Sequence, residues 1–449
     1  MPSLLTSQAQ QAIDKHFSTL AKPHPFYEAK QQAWQAFRQL SFPGPKDEAY
    51  KYTPITNTLA GVFDLSQDQT TSQLTQAELR PWFRHEPDAY QLVLINGQLS
   101  KVYSTLGSPE HPWQCLTFAD AYQQHQAALL QHWRQPTPEA ADAFAALNTA
   151  LFEEGILIHI ADHAVLDKPL FIYHIADAST HPRLTYPRLR IVLGEHSQAS
   201  LVTAWHTLGQ HPGFTNAVTE IKLASNARLD YHTLQTQMGH QAYQVNTTQC
   251  YQASQSVLNT YTLTWDGAFV RNNLHTHLYE PYGEANMYGL YCLDNQQHVD
   301  NHTLVDHQAP HTQSNERYKG IITGQATGVF NGKIYVRAEA QNTNAFQANN
   351  NVVLSDQATI HTKPQLEIWA DDVKCSHGAT VGQLDEAQLF YLSARGIPLH
   401  TARYMLLNAF ASDVIATVAS PVLKSHIHQA LETRLSTLGL EAASNTRSI

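Results

Sequence analysis

The chain carries a short motif that recurs five times between residues 199 and 316. It reads ASL (Ala199–Leu201), ARL (Ala227–Leu229), SVL (Ser256–Leu258), ANM (Ala285–Met287) and SNE (Ser314–Glu316). The leading small residues are 28, 29, 29 and 29 positions apart, and the first four motifs end on an apolar residue, whereas the fifth ends on Glu316. A fixed period of this length, built from short strands, is typical of a β-solenoid in which stacked turns bury a continuous core. The repeat therefore predicts a stack of β-rungs.

The surrounding region, from Ile156 to Gly382, alternates apolar and polar residues with a period of two. Such alternation is the pattern of β-strands, and no long amphipathic helix interrupts it. The alternation alone also fits a β-rich sandwich, so the spacing of the repeat is what favours the solenoid. The clearest examples are Leu189, Ile191 and Leu193; Ile334, Val336 and Ala338; and Leu366, Ile368 and Ala370.

Helical patterns flank this β-rich region on both sides. We expect a mainly helical part over residues 1–155, a β-solenoid over 156–384 and a helical part over 385–449 that ends in a disordered tail from Glu441. Before the solenoid, the spacing predicts helices at Ser7–Leu20, Phe26–Leu40, Leu116–Trp133 and Ala143–Phe152, and a hairpin over Tyr90–Val102 that turns at Asn96-Gly97. After it, helices are predicted from Asp385 to Gly396, over Leu399–Val414 and over Val422–Leu438.

Composition excludes several classes of partner. The chain has 449 residues, with 28 Lys plus Arg against 38 Asp plus Glu, which gives a formal net charge of -10. A nucleic-acid or anionic-membrane surface would require a concentrated basic patch, so neither partner is expected. The first residues lack the basic and apolar segments of a secretory signal, and no apolar run approaches the roughly 20 residues that span a bilayer. A cytoplasmic location is expected.

The cysteine and histidine content limits metal chemistry. The four cysteines, Cys115, Cys250, Cys292 and Cys375, lie far apart and form no CxxC pair. A disulfide framework, or a zinc or four-cysteine cluster site made by this chain alone, is therefore not expected. Most of the 26 histidines are scattered, which is typical of solvated surface residues. Any cluster chemistry would need ligands from histidine, from carboxylates or from another chain.

Cys375 and His377 form the one pair with metal-ligand character. In a strand, side chains at i and i+2 point to the same face, so a thiol and an imidazole would lie side by side. Lys374 could lower the thiol pKa, but strand alternation sends it to the opposite face. The residue types alone favour a structural cysteine with a capping histidine. As metal ligands, the two residues would need thiolates from a partner, because two ligands cannot hold a cluster.

A second group of histidines invites a zinc interpretation. It comprises His298, His302, His307 and His311, with Asp300 and Asp306 between them. No pair has the helical HExxH arrangement, so histidines at the surface or at rung edges are the favoured interpretation. The sequence also lacks a GxxxxGK[ST] phosphate-binding loop, so ATP hydrolysis is not expected of this chain.

Several phrases together closely resemble the SufB/SufD family of iron–sulfur cluster assembly scaffolds, and most of all its SufD branch. The resemblance covers the whole chain, densely after Asp294 and thinly before Leu147. The phrases are EAYKYTPI (Glu48–Ile55), LINGQLS (Leu94–Ser100), LNTALFEEGILIHI (Leu147–Ile160), YKG (Tyr318–Gly320), FNGKIYV (Phe330–Val336), AQNTNAFQANNNVVLS (Ala340–Ser355), TKPQLEI (Thr362–Ile368), ADDVKCSHGATVG (Ala370–Gly382) and LDEAQLFYLSARGI (Leu384–Ile397).

The resemblance implies a fold and a role. The family forms a right-handed parallel β-helix, and its SufD members are non-catalytic scaffold subunits that pair with SufB and with the ATPase SufC. The resemblance implicates His377, and more weakly Cys375, in transient cluster assembly at the SufB interface. SufB proteins carry a further cysteine about one rung earlier, where this chain reads QANNNVV (Gln347–Val353), and this departure favours SufD.

The resemblance also places the SufC contact within Leu384–Val414. Leu389, Phe390 and Leu392 are the candidate contact residues, because they form a denser apolar group than one core-facing stripe needs. No permanently bound cofactor is expected, only a transient iron–sulfur cluster in the complex. Two points stay open, namely flavin association at the level of the complex and a homodimer of the isolated chain.

An alternative class is a β-helix enzyme that acts on polysaccharide. Such enzymes need carboxylate clusters or Ca²⁺ sites on one face of the rungs, and they are usually secreted. The missing secretory signal and the C-terminal helices argue against this class.

Overall fold

The protein is a parallel β-solenoid of about eight turns with helical regions at both ends. The computed structural model describes residues 4–19, 26–44, 46–60, 74–83, 89–106, 111–124 and 142–444. Two sheets enclose one shared apolar core, and from residue 188 onward successive strands alternate between them, so that each turn places one strand in each sheet. The prediction of a mainly β, parallel solenoid is confirmed, and a sandwich of antiparallel sheets is excluded.

The strands stack in two ladders. Every neighbouring pair is parallel except Tyr90–Ile95 with Gln98–Leu99 and Trp113–Thr117 with Gly155–Ile160, which are antiparallel. The first sheet has the order β2 (Gln98–Leu99), β1 (Tyr90–Ile95), β5 (Leu170–Ala178), β8 (Gln198–Gly209), β10 (Arg228–Gln235), β12 (Val257–Thr264), β14 (Glu284–Leu293), β16 (Gln313–Ile322), β18 (Thr343–Val353) and β20 (Val373–Gly382). The second has the order β19 (Thr359–Ile368), β17 (Thr327–Val336), β15 (His298–His307), β13 (Phe269–Leu278), β11 (Ala242–Gln252), β9 (Gly213–Leu223), β7 (Arg188–Leu193), β4 (Gly155–Ile160) and β3 (Trp113–Thr117), and β6 (Arg183–Thr185) also pairs with β9.

The five repeat motifs lie on the inward face of the first sheet. Their first and third residues are all at most 4 % exposed, including Glu316. If the motifs were stacked in register, the small residue that begins each motif would pair with the one that begins the next. Ala285 does pair with Ser314 in this way. Ala199, however, pairs with Leu229, and Ala285 pairs with Leu258. These two steps differ from the sequence spacing by two residues. Because side chains alternate with a period of two, a shift of two residues changes the neighbours and preserves the buried face.

Inward glycines make room for large side chains in the narrow interior. A Cβ atom on Gly289 would lie 2.1 Å from the ring of Tyr318, its partner on the next strand. Similarly, a Cβ atom on Gly332 would lie 2.2 Å from Nε2 of Gln347. A glycine inside a strand often marks such a close approach.

Helices cover the outer faces of both sheets. Helices near the N-terminus pack against the second sheet through residues such as Phe37 and Leu147, which meet Phe214 and Phe269. Besides the short 3₁₀ helix Glu48–Tyr50 and the helical residues 118–124, the described helices are α1 (Leu4–Thr19), α2 (Tyr27–Leu40), α3 (Ile55–Ala60), α4 (Gln76–Leu79), α5 (Ala143–Leu151), α6 (Glu386–Ser393), α7 (Leu399–Ile415) and α8 (Pro421–Ser444).

The last two helices are structural. Leu407 and Val414 of α7, with Leu431 and Leu435 of α8, are buried against the outer face of the first sheet. Arg434 strengthens this contact, since it donates to the carbonyl oxygen of Cys292 and, at 2.7 Å, to the Asp294 carboxylate. Helix α8 runs to Ser444, into the segment that the sequence predicts as a disordered tail, and residues 445–449 lie outside the described part of the chain.

The helix predicted over Leu116–Trp133 is wrong at its start. Residues 113–117 form strand β3, which pairs antiparallel with β4, and only residues 118–124 of the described part are helical. Trp113, Cys115 and Thr117 point to the buried side. Pairing with β4 buries this alternating set, so tertiary contact overrides the local helical pattern. Residues 125–133 lie outside the described part.

The segment Glu48–Thr53 is bound to the second sheet by contacts with Arg271 and Asp300, which we call the clasp. The Arg271 guanidinium forms a buried ion pair with Asp300, donates to the carbonyl oxygen of Ala49 at 2.9 Å and lies 3.8 Å from the Tyr50 ring centroid. Thr53 donates to Asp300 at 2.6 Å. This contact joins residues more than 200 positions apart and holds the N-terminal region on the solenoid.

Candidate functional site

Strands β19 and β20 lie at the outer edges of their sheets, at the same end of the solenoid. We call this the open end. In earlier strands the inward side chains are almost fully buried, but no described residue of β20 is buried and most are exposed. The interior of the solenoid is therefore uncovered at the open end, where each of the two strands presents an unpaired edge among the described residues.

Cys375 and His377 lie on the inward face of β20. Cys375 pairs with Ala345 and His377 pairs with Gln347, and both partners on β18 are buried. In-register neighbours point to the same face, so the thiol and the imidazole both face the end of the core. Ser376 pairs with the half-exposed Phe346 on the outer face. The two predicted ligand residues are thus brought side by side, with His377 exposed and Cys375 half-buried.

Cys375 is held as a thiol. Its side chain packs against the edge of the apolar core. Burial raises the pKa of the Cys375 thiol, and a hydrogen bond to the Ala345 backbone opposes that rise only in part. Lys374 pairs with Asn344 and lies on the opposite face, so it does not help deprotonation. A metal ion would itself have to displace the thiol proton for Cys375 to act as a ligand.

Two polar residues on the preceding strands of the first sheet are in register with His377 and share its inward face. We call these three residues the inward column. Glu316 on β16 pairs with Gln347 on β18, and Gln347 pairs with His377. Nε2 of Gln347 donates to Oε2 of Glu316 at 2.6 Å, and both side chains are at most 3 % exposed. Sequence reasoning did not assign these residues to the site. The available signal was Glu316 itself, since it breaks the apolar pattern of the repeat.

The histidine group of the second sheet is dispersed. His298 stacks on Phe269 on the outer face, whereas Nε2 of His302 lies 3.0 Å from Oδ1 of Asp300. His307 faces inward and bonds to Thr312 and Ser314, and His311 stacks on Tyr282. Among the described residues, no three His, Cys, Asp or Glu side chains are grouped so as to hold a metal ion. The interpretation as surface residues is wrong for His307, which is buried in the core, and the described histidines of this group form no shared site.

The other three cysteines are buried and free of disulfide bonds. Burial raises the pKa of Cys115, Cys250 and Cys292 to about 12 in each case. A reactive or metal-binding cysteine needs the thiolate form near neutral pH. These thiols therefore behave as small apolar side chains.

The short helix α6 presents apolar side chains to solvent directly after the open end. Asp385 caps it by accepting hydrogen bonds from the backbone N–H groups of Ala387 and Gln388. Phe390 is 76 % exposed, while Leu389 and Leu392 are half-buried. The neighbouring Tyr391 is 56 % exposed as well, and adjoining exposed apolar side chains are a feature of interaction surfaces. Of the three predicted contact residues, Phe390 is the most available to a partner.

Along the described part of the chain, no helix is both long and apolar enough to cross a lipid bilayer.

The last rung of this solenoid is uncovered, and Cys375 and His377 lie on its inward face. Residues 174–410 match the family model described as SUF system FeS cluster assembly, SufBD core domain, and residues 4–172 match the SufBD protein N-terminal region. The chain therefore belongs to the SufBD family of iron–sulfur cluster assembly proteins.

Individual relatives agree with this assignment. The iron–sulfur cluster assembly protein SufD of Escherichia coli is 28% identical over 432 residues, which cover 93% of this chain and 97% of the relative. A SufBD family protein of Synechocystis is 28% identical over 413 residues, covering 90% of each chain. The chloroplastic protein ABCI7 of Arabidopsis thaliana is 30% identical over 62% of this chain and 60% of its own. The chain is thus SufD-like along nearly its whole length.

Proposed function

We propose that the chain is a non-catalytic, SufD-type scaffold subunit that supports the assembly of iron–sulfur clusters in the cytoplasm. It would act in a complex with a SufB-type paralogue and a SufC-type ATPase, and it would hold no permanent cofactor. The nascent cluster is the cargo of the complex. The observation that carries the proposal is the open end, where Cys375 and His377 lie on the inward face of an uncovered last strand.

The open end supports a partner of the same architecture. Exposed strand edges pair with strands of another chain, and the uncovered core end offers apolar surface for the same contact. Ile368, Trp369 and Val381 are exposed there, at 39%, 51% and 53%. A paralogous solenoid that continues both sheets would cover this surface. A second copy of this chain could do so as well, which keeps the homodimer open for the isolated protein.

The ligands at the open end suit half of a shared site. An imidazole can replace a thiolate on cluster iron, and the soft thiol of Cys375 lies on the same face. Two side chains do not complete a coordination sphere, so the partner has to contribute thiolates. His377 is the more accessible ligand of the two because its ring is exposed, whereas the Cys375 thiol is half-buried and protonated.

The test is to replace His377 in the co-expressed three-subunit complex. His377→Ala should leave folding and co-purification unchanged, because an exposed imidazole contributes little to a large core. It should sharply reduce the iron and sulfide content of the purified complex. Ser376→Ala is the matched control, since Ser376 is exposed on the same strand and faces outward. Normal iron and sulfide in the His377 variant would remove this residue from the mechanism. Cys375→Ala should have a smaller effect.

The proposed ATPase contact is tested at Phe390. Phe390→Ala should weaken co-purification of the ATPase at little cost to stability, since the ring is exposed. Val422→Ala is the control, because Val422 is an exposed apolar residue on α8. Truncation after Gly396 is unsuitable, since α7 and α8 cover the first sheet and their loss would expose its apolar face. Equal retention of the ATPase by both variants would refute the assignment.

A further inference from the structure

The inward column behind His377 contains a buried hydrogen-bond acceptor without a donor. Gln347 is 3 % exposed, and its Oε1 atom has no hydrogen-bond partner among the described residues. Leaving a buried acceptor unsatisfied costs roughly 1–3 kcal/mol. Such an acceptor is a reason to look for a neighbouring side chain that can donate to it.

The orientation of the Gln347 amide is fixed from behind. Its Nε2 atom donates to Oε2 of Glu316 at 2.6 Å, so Oε1 is the atom that remains for another donor. Gly332 permits this arrangement, because a Cβ atom there would lie 2.2 Å from Nε2 of Gln347. Glu316 can accept this hydrogen bond through one oxygen whether or not it is protonated. The amide is thus held in place by a buried carboxyl group.

His377 is the donor that the topology places next to Gln347. The two residues are Cα partners on neighbouring parallel strands, and their side chains leave the same face. The imidazole is exposed, so its ring can turn toward the core. A neutral imidazole has one N–H donor and one nitrogen lone pair, and a hydrogen bond from the N–H fixes which nitrogen is available to a metal.

We propose that Gln347 and Glu316 are positioning residues for His377. The His377 ring N–H donates to Oε1 of Gln347, Gln347 donates to Glu316, and the other ring nitrogen is left facing out of the open end. This inference rests on the proposed role of His377 as an iron ligand. Metal-binding histidines commonly donate their second nitrogen to a carbonyl or carboxylate, and loss of that partner typically weakens metal binding about 10-fold to 100-fold.

The direct test is the tautomer of His377 in the isolated chain, measured by long-range ¹H–¹⁵N NMR on histidine-labelled protein. His377→Ala assigns the resonances. The wild-type ring should favour one tautomer, and Gln347→Leu should abolish that preference. Asn350→Leu is the matched control, because Asn350 lies on the same strand and donates to Thr380 of β20 from the opposite face. Identical His377 resonances in wild type and in Gln347→Leu would overturn the proposal.

A paired exchange keeps the test decisive if Gln347→Leu disturbs folding. The double variant Glu316→Gln with Gln347→Glu places a carboxylate beside the ring and an amide behind it, so an acceptor still faces His377. It should restore the tautomer preference. A double variant that folds but shows no preference would contradict the positioning role.

Iron binding by the co-purified complex separates this inference from the proposed function. Gln347→Leu should weaken Fe²⁺ binding about 10-fold, and the exchange variant should recover it. If His377→Ala keeps normal iron while Gln347→Leu changes the tautomer, the ligand role fails and the positioning stands. If His377→Ala loses iron while Gln347→Leu changes neither tautomer nor iron, the positioning fails alone.

Discussion

The clasp between Arg271 and the N-terminal segment is expected to be the most sensitive point of the fold outside the apolar core. Arg271→Met keeps much of the side-chain volume but removes the charge. Among the described residues, the change leaves the buried Asp300 with Thr53 and His302 as partners, and it also removes the hydrogen bond to Ala49. Removing one partner of a buried ion pair costs about 3–5 kcal/mol. A loss of that size should release residues 46–60 from the solenoid.

Hydrogen exchange measured by mass spectrometry is the appropriate assay, because a solenoid need not unfold in one step. At roughly 1.4 kcal/mol per tenfold, Arg271→Met should speed amide exchange in residues 46–60 at least about 100-fold. Lys363→Ala is the control, since Lys363 pairs with Glu48 of the same segment in an exposed ion pair and its loss should change little. Adding Asp300→Asn to Arg271→Met should recover much of the protection, because no charge then remains buried. Equal exchange in Arg271→Met and Lys363→Ala would refute the reasoning.

The clasp should also respond to acid. Burial alone would raise the pKa of Asp300, but the neighbouring His302 and Arg271 lower it well below the usual range. A depressed carboxyl pKa in the folded state contributes stability above the unfolded value of about 4, and this contribution is lost as the pH falls further. The pKa of His302 is lowered by burial as well, so a first decline in the protection of residues 46–60 should begin below the unfolded histidine pKa of about 6.5. A further decline below about pH 4 should follow as Asp300 is protonated.

Two further predictions concern the interior. Burial raises the pKa of Glu316 to about 7, so its contribution to stability is complete below the unfolded value and is lost as the pH rises through about 7. In the wild type this decline in the free energy of unfolding amounts to at most roughly 4 kcal/mol. Thermal unfolding of Glu316→Gln should lack the decline, and parallel pH profiles for variant and wild type would contradict the assignment. Gly289→Ala places a Cβ atom 2.1 Å from the buried Tyr318 ring and should cost about 1–3 kcal/mol in urea unfolding. Gly378→Ala, with no atom within 4 Å of the new Cβ, should be neutral, and equal effects of the two changes would count against the packing argument.

Part of the site could be predicted from residues alone because strand alternation is a local property. Cys375 and His377 share a face for the same reason that any i and i+2 residues do, and the structure places them so. Gln347 and Glu316 could not be added in this way. They lie 30 and 61 positions before His377, and only the register between rungs brings the three into one column.

The sequence by itself determined the period of the solenoid, its buried face and the flanking helices, because burial repeats at the interval of each turn and side chains alternate along each strand. It did not determine the register of Ala199 or Ser256, since a slip of two residues buries the same face. It also gave no sign that Glu48–Thr53 would meet Arg271 and Asp300. Pairing between distant segments depends on which surfaces the folded chain brings together, and only the tertiary structure decides that.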